Sequence, residues 1–168
     1  MTTFHNTYAR THEYIRTLAS RGPEALQILG GLAQDHEDRF VRAEAVVALA
    51  RIGGPEALQI LGGLAQDHED WYVRGEAAIA LAKVGGPKAV RLLEALAQDT
   101  DEYVRMAVAE ALTRIGGPEA LKVLEALAQD HEDWYVRGEA AAALGHLGGG
   151  QAVRLLEALA QDTDEYVR

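Results

Sequence analysis

One pattern returns every thirty-odd residues along this 168-residue chain, and it limits the fold to stacked copies of one small unit. Pro23, Pro55, Pro87 and Pro118 stand 32, 32 and 31 residues apart, and Gly150 takes the same place 32 residues later. The segment Gly22–Asp38 (GPEALQILGGLAQDHED) recurs letter for letter at Gly54–Asp70, and Ala89–Arg105 recurs at Ala152–Arg168. A longer period of 63 residues carries Leu64–Ala78 onto Leu127–Ala141. Periods of ~20–50 residues belong to solenoid units that bury their apolar faces only against neighbours.

Each unit reads as two helices. The first opens on Gly-Pro-Glu, where proline at the first helical position loses nothing by lacking an N–H and the acid faces the positive helix end. In the second copy Ala57, Leu58, Leu61, Leu64 and Ala65 fall on one helical stripe. A polar turn follows, closed by an aspartate suited to cap the next helix: Asp38, Asp70, Asp101 and Asp133. The second helix of that copy carries Val73, Ala77, Ala78, Ala80, Leu81 and Val84 at helical spacing and stops at Gly85-Gly86. No stretch alternates with period two, so the expected class is all-α. The expected architecture is a right-handed α-solenoid of antiparallel helix pairs forming a single domain over residues 1–168. Its parts are an N-terminal tail and capping helix (1–21), full repeats at 22–53, 54–85, 86–116 and 117–148, and a C-terminal half-repeat (149–168). The unfinished last copy should expose Val153, Leu156 and Leu159, which predicts weak self-association through that end.

Composition removes several classes of function. The formal charge is −10, with only three lysines, which disfavours generic nucleic-acid or anionic-membrane binding. With no cysteine there is no disulfide framework and no thiolate metal site. No apolar run approaches the ~20 residues of a membrane span, and MTTFHNTYAR is not laid out as a secretory signal, so the expected compartment is the cytoplasm.

The second helices, VRAEAVVALARIG (41–53), VRGEAAIALAKVG (73–85), VRMAVAEALTRIG (104–116) and VRGEAAAALGHLG (136–148), resemble the HEAT-like repeats of phycobilin lyase subunits. Consensus-type artificial HEAT-like repeat proteins are similar as well. The resemblance implies that the arginine after each valine, Arg42, Arg74, Arg105 and Arg137, forms a structural ladder with the turn aspartates Asp35, Asp67, Asp99 and Asp130. It also keeps alternatives open: an accessory subunit that holds a tetrapyrrole or its carrier protein, or an engineered, self-associating array.

Catalytic readings are weak. The pairs His36-Glu37, His68-Glu69 and His131-Glu132 have metal-compatible side chains, but they fall in interhelical turns about 10 Å apart, too far for one ion to bridge. The di-iron deoxyhypusine hydroxylases, also HEAT-type, place His-Glu just after the second-helix arginine, where this chain has Ala43-Glu44, Gly75-Glu76, Met106-Ala107 and Gly138-Glu139. There is no phosphate-binding glycine loop, and the single serine, Ser20, lies in the capping helix. The chain is therefore expected to be no enzyme and to use neither metal nor cofactor.

What varies between otherwise copied units is a set of second-helix positions outside the packing stripe. They form an acidic lane (Glu44, Glu76, Glu139), a small apolar lane (Val47, Ile79, Ala142, interrupted by Glu110) and a basic lane (Arg51, Lys83, Arg114, His146), with Met106 at the head of the third copy. Phe40, Trp71, Tyr72, Tyr103, Trp134 and Tyr135 edge the same surface. An apolar strip between opposite charges, edged by aromatic rings, suits a peptide or protein partner.

Overall fold

In a computed structural model, residues 2–130, 133–165 and 167 are described. They contain ten α-helices and, among the described residues, no strand. The chain divides into two compact units, Met1–Val84 and Gly85–Arg168, each a stack of helix pairs.

The first unit holds α1 (Thr2–Ser20), α2 (Leu26–Asp35), α3 (Arg39–Ile52), α4 (Gly54–Asp67) and α5 (Trp71–Val84). Helix α3 is its centre, packed against α1, α2, α4 and α5. The second unit holds α6 (Gly86–Leu96), α7 (Glu102–Ile115), α8 (Gly117–Asp130), α9 (Trp134–Leu147) and α10 (Gly150–Leu159). There α7 packs on α6, α8 and α9, while α10 lies on α8 and α9.

The predicted stripes are the cores. Ala57, Leu58, Leu61, Leu64 and Ala65 are buried in α4, and Val73, Ala77, Ala78, Ala80 and Leu81 in α5. The alanines leave no side chain to hold neighbouring helices apart, so close packing follows from sequence. All four expected caps form: the amides of Phe40, Tyr72, Tyr103 and Tyr135 donate to Asp38, Asp70, Asp101 and Asp133 at 2.8–2.9 Å.

Three features depart from the sequence reading. The expected N-terminal tail is helical from Thr2, and α1 buries Ile15 and Leu18 beside α3. The first helix of the first repeat starts as a 3-10 turn, Gly22–Ala25. Its N-cap is Arg21 at φ −79°, whereas Gly53, the cap of α4, sits at φ 69°, a left-handed conformation that a side chain disfavours. At the C-terminal end Leu159 is buried where α10 meets α8 and α9, Leu156 is half-buried, and Val153 alone of the three is exposed (51%). The apolar stripe invoked for self-association is reduced accordingly.

Candidate functional site

The polar turns come first, because they set the angle at which each second helix leaves. Arg42 turns back to donate from Nη1 to the carbonyls of His36 and Glu37, at 2.5 and 3.2 Å. Arg74 does the same to His68 and Glu69, and Arg105 to Asp99 and Thr100. These carbonyls lie past the last turn of a helix and have no helical partner, so each arginine satisfies its own connection.

The second arm of the same guanidinium reaches the following repeat. Arg42 Nη2 donates to Asp70 at 2.6 Å, Arg105 pairs with Asp133, and Arg137 grips Asp162 with two bonds of 3.0 Å. An arginine–aspartate ladder therefore exists, with different aspartates from those expected. Asp35 and Asp67 are exposed at the ends of α2 and α4, and the side chain of Asp130 lies outside the described residues. Asp99 accepts the Asp101 amide at 2.8 Å. The rungs are the cap aspartates Asp70 and Asp133, which stand nearer the next arginine because the cap is the residue that faces back over the turn.

Asp70 is the most heavily used. Burial alone would push its carboxyl upward, but bonds from Arg39 (2.6 Å), Arg42 and the Tyr72 amide outweigh that and hold it down at about 2.

The histidines of the turns are structural as well. His68 is 3% exposed; its Nε2 donates to the Gln34 carbonyl at 3.1 Å and its Nδ1 accepts the Asp70 amide at 3.0 Å. His36 likewise accepts the Asp38 amide. In the shorter turns Asp99 and Asp162 perform this task for Asp101 and Asp164. With both ring nitrogens of His68 engaged, its pair with Glu69 is not arranged as a metal site; His131 and Glu132 lie outside the described residues. The cost of His68→Ala is expected to be about 2 kcal/mol, because the Asp70 amide loses its buried acceptor. His68→Asp, which restores an acceptor of the kind used at Asp99, should recover at least half of this in urea unfolding.

The variable face can then be followed helix by helix. In the first unit Glu44, Val47 and Arg51 of α3 join His12, Ile15 and Arg16 of α1 around a hollow of about 460 Å³. His12 pairs with Glu44 across it, a contact with no sequence signal because the two lie in different repeats. On α5, Glu76 and Ile79 are half-buried and Lys83 exposed. The positions that precede the acids, Ala43 and Gly75, are buried, so they belong to the packing face; Ala107 is buried too.

In the second unit α7 and α9 enclose a hollow of about 500 Å³. Met106, Ala109, Ala142 and Ala143 supply its apolar wall; Glu110, Arg114, Glu139 and His146 supply its charge. Thus every lane residue of α7 and α9 opens on one space, as helical offsets of three, four and eight residues require. Arg114 donates to Glu110 at 2.8 Å, and His146 Nδ1 to the Ala142 carbonyl at 2.8 Å. Tyr135 Oη lies 3.5 Å from Met106 Sδ, tying α9 to α7 at the aromatic end.

The aromatic edge is partly open: Phe40 is 57%, Trp71 39% and Trp134 42% exposed. Phe40 meets Tyr72 edge-on, and Trp71 and Tyr72 cross at 84° with centroids 5.8 Å apart. Tyr103 is half-buried. A third hollow, of about 640 Å³, lies on the opposite, first-helix side between α2 and α4. Its wall is polar, and Gln27 bridges to Glu56 at 2.7 Å.

A family model for HEAT repeats matches residues 6–82, 64–145 and 128–168. The chain belongs to the HEAT-repeat family. No curated protein matches it. Among solved structures it is similar to the CpcE–CpcF complex of phycocyanin lyase from Nostoc sp., at 22% identity and a TM-score of 0.61, over 100% of this chain and 69% of that one. Human deoxyhypusine hydroxylase is similar at 23% identity and 0.52, over 94% and 75%. A designed armadillo repeat protein in complex with the peptide (KR)4 is similar at 24% identity and 0.52, over 99% and 90%. At these identities the likeness is one of fold: an all-α HEAT solenoid built of helix pairs. Among the described residues no helix is long and apolar enough to cross a membrane.

Proposed function

We propose that this HEAT-repeat chain is a non-catalytic scaffold that docks a peptide or protein segment on its second-helix faces. The observation that carries the reading is the α7–α9 hollow. Copied repeats place an apolar wall there between a carboxylate end (Glu139) and a basic end (Arg114, His146), and Trp134 and Tyr135 edge it. The first unit offers the same order on α3 (Glu44, Val47, Arg51) and on α5 (Glu76, Ile79, Lys83). Opposed charges at the two ends of an apolar strip fix the direction of a bound segment, while the strip supplies affinity. The designed armadillo neighbour, whose complex contains a bound peptide, supports this use of stacked helices. A non-catalytic role agrees with the turn histidines and arginines, which are engaged in holding the connections.

Peptides selected on the wild-type chain from a random display library test the reading. Their affinity should fall at least about tenfold, some 1.4 kcal/mol, when Ile79→Asp or Ala142→Asp places a charge in the apolar lane, with helicity unchanged. Selected peptides that bind both variants as they bind the wild type would refute the face named here.

A further inference from the structure

We propose that the Trp134–Tyr135 corner at the start of α9 binds a guanidinium side chain, that of an arginine within a docked peptide. The inference deepens the docking reading, on which it rests, by naming the chemistry of one anchor.

The chain contains its own precedent. In the first unit Arg39, the first residue of α3, lays its guanidinium 4.9 Å from the Trp71 ring centroid and 5.1 Å from that of Tyr72. The same guanidinium donates to Asp70, the cap of α5, at 2.6 Å. A planar cation thus sits against two crossed rings and bonds the carboxylate at their base, a combination that guanidinium satisfies better than ammonium.

The second unit repeats the receptor. Asp133-Trp134-Tyr135 corresponds to Asp70-Trp71-Tyr72, and Asp133 accepts the Tyr135 amide at 2.9 Å, as Asp70 accepts that of Tyr72. The rings of Trp134 and Tyr135 cross at 85° with centroids 5.6 Å apart, nearly the geometry of the first pair. The residue of α7 in the place of Arg39 is Glu102. A carboxylate cannot supply the cation; instead it adds negative charge. Burial, then the charges of Glu139 and Glu102, raise the Tyr135 phenol above its ordinary value, which shows both carboxylates acting on this corner. The first unit carries the arginine within the chain. The second keeps the rings and the cap and surrounds them with carboxylates, so its complement is an arginine from outside.

The two tryptophans of the chain permit a direct test. In a Trp71→Phe variant Trp134 is the sole indole reporter, and in Trp134→Phe it is Trp71. Titration with acetylated, amidated tetra-arginine should change the fluorescence of Trp71→Phe saturably, with tetra-lysine weaker and tetra-glutamate silent. Trp134→Phe should show little change, since Arg39 already covers Trp71. Adding Glu102→Arg to Trp71→Phe, which gives α7 the residue α3 has, should weaken tetra-arginine binding at least about tenfold. Glu94→Arg, the same charge change at an exposed position of α6, should weaken it less than about threefold, as screening of a distant charge requires. No response from Trp71→Phe, an equal response from Trp134→Phe, or equal weakening by both charge reversals would overturn the proposal. If library-selected peptides still bind and still lose affinity in Ala142→Asp, such a failure leaves the docking face standing and removes the arginine anchor alone.

Discussion

Asp70→Ala is expected to cost about 3 kcal/mol of stability, measured by urea unfolding at neutral pH. The substitution removes the N-cap of α5, worth about 1 kcal/mol, and leaves Arg42 without its acceptor at a mostly covered site. Asp38→Ala, which removes the cap of α3, should cost about 1 kcal/mol. The pH dependence has a definite sign. The folded carboxyl of Asp70 is held at about 2, below its ordinary value of 3.8. Its contribution is therefore complete above about pH 4 and is lost as the pH falls through 2. Solvent at the edge of the turn screens this ionic part to about 1 kcal/mol. In Asp70→Ala that acid-labile portion should vanish, so the variant and wild-type stabilities converge as the pH is lowered. A gap that stays constant down to pH 2 would contradict the ion-pair account.

Leu49→Ala should have an effect of similar size by another route. Leu49 is fully buried in α3, the helix on which α1, α2, α4 and α5 all pack. Truncation leaves a cavity walled by helices that cannot all move inward, for a cost of about 3 kcal/mol. In a chain of this length that lowers the thermal midpoint by about 10 °C in calorimetry. Val153→Ala removes a half-exposed side chain and should shift the midpoint by less than about 2 °C. Similar shifts for the two variants would mean that α3 is not the centre of the first unit.

These two positions show how far the sequence alone could be taken. Leu49 sits on a helical stripe, and a period of 3.6 residues identifies such a stripe without reference to any neighbour. The same holds for the caps, since Asp38, Asp70, Asp101 and Asp133 act on amides two residues away. Asp70 also receives Arg39 and Arg42 from the preceding repeat. That contact depends on the register between stacked pairs, which no local pattern states. The expected partner, Asp67, lies only three residues from the true one but on the opposite side of the turn. His68 failed to declare itself for a related reason: in sequence it is a His-Glu pair, and only its burial under the Gln34 carbonyl shows that it serves the backbone. Arg39 did carry a signal, as the one basic residue at a position that elsewhere holds Trp71, Glu102 or Trp134. The lanes of α7 and α9 were legible because spacing within one helix fixes which residues share a face. The contact of His12 with Glu44 was not, because it joins helices of different repeats.

Backbone amide shifts of the chain, recorded by NMR with and without a library-selected peptide, test the docking face most directly. The shifts should concentrate on α3, α5, α7 and α9, at Val47, Ile79, Glu110 and Ala142, with Gln27, Gln59 and the other residues of the first-helix side unmoved. Shifts confined to the α2–α4 side, around Gln34 and Ile60, would place the partner on the opposite face and contradict the account.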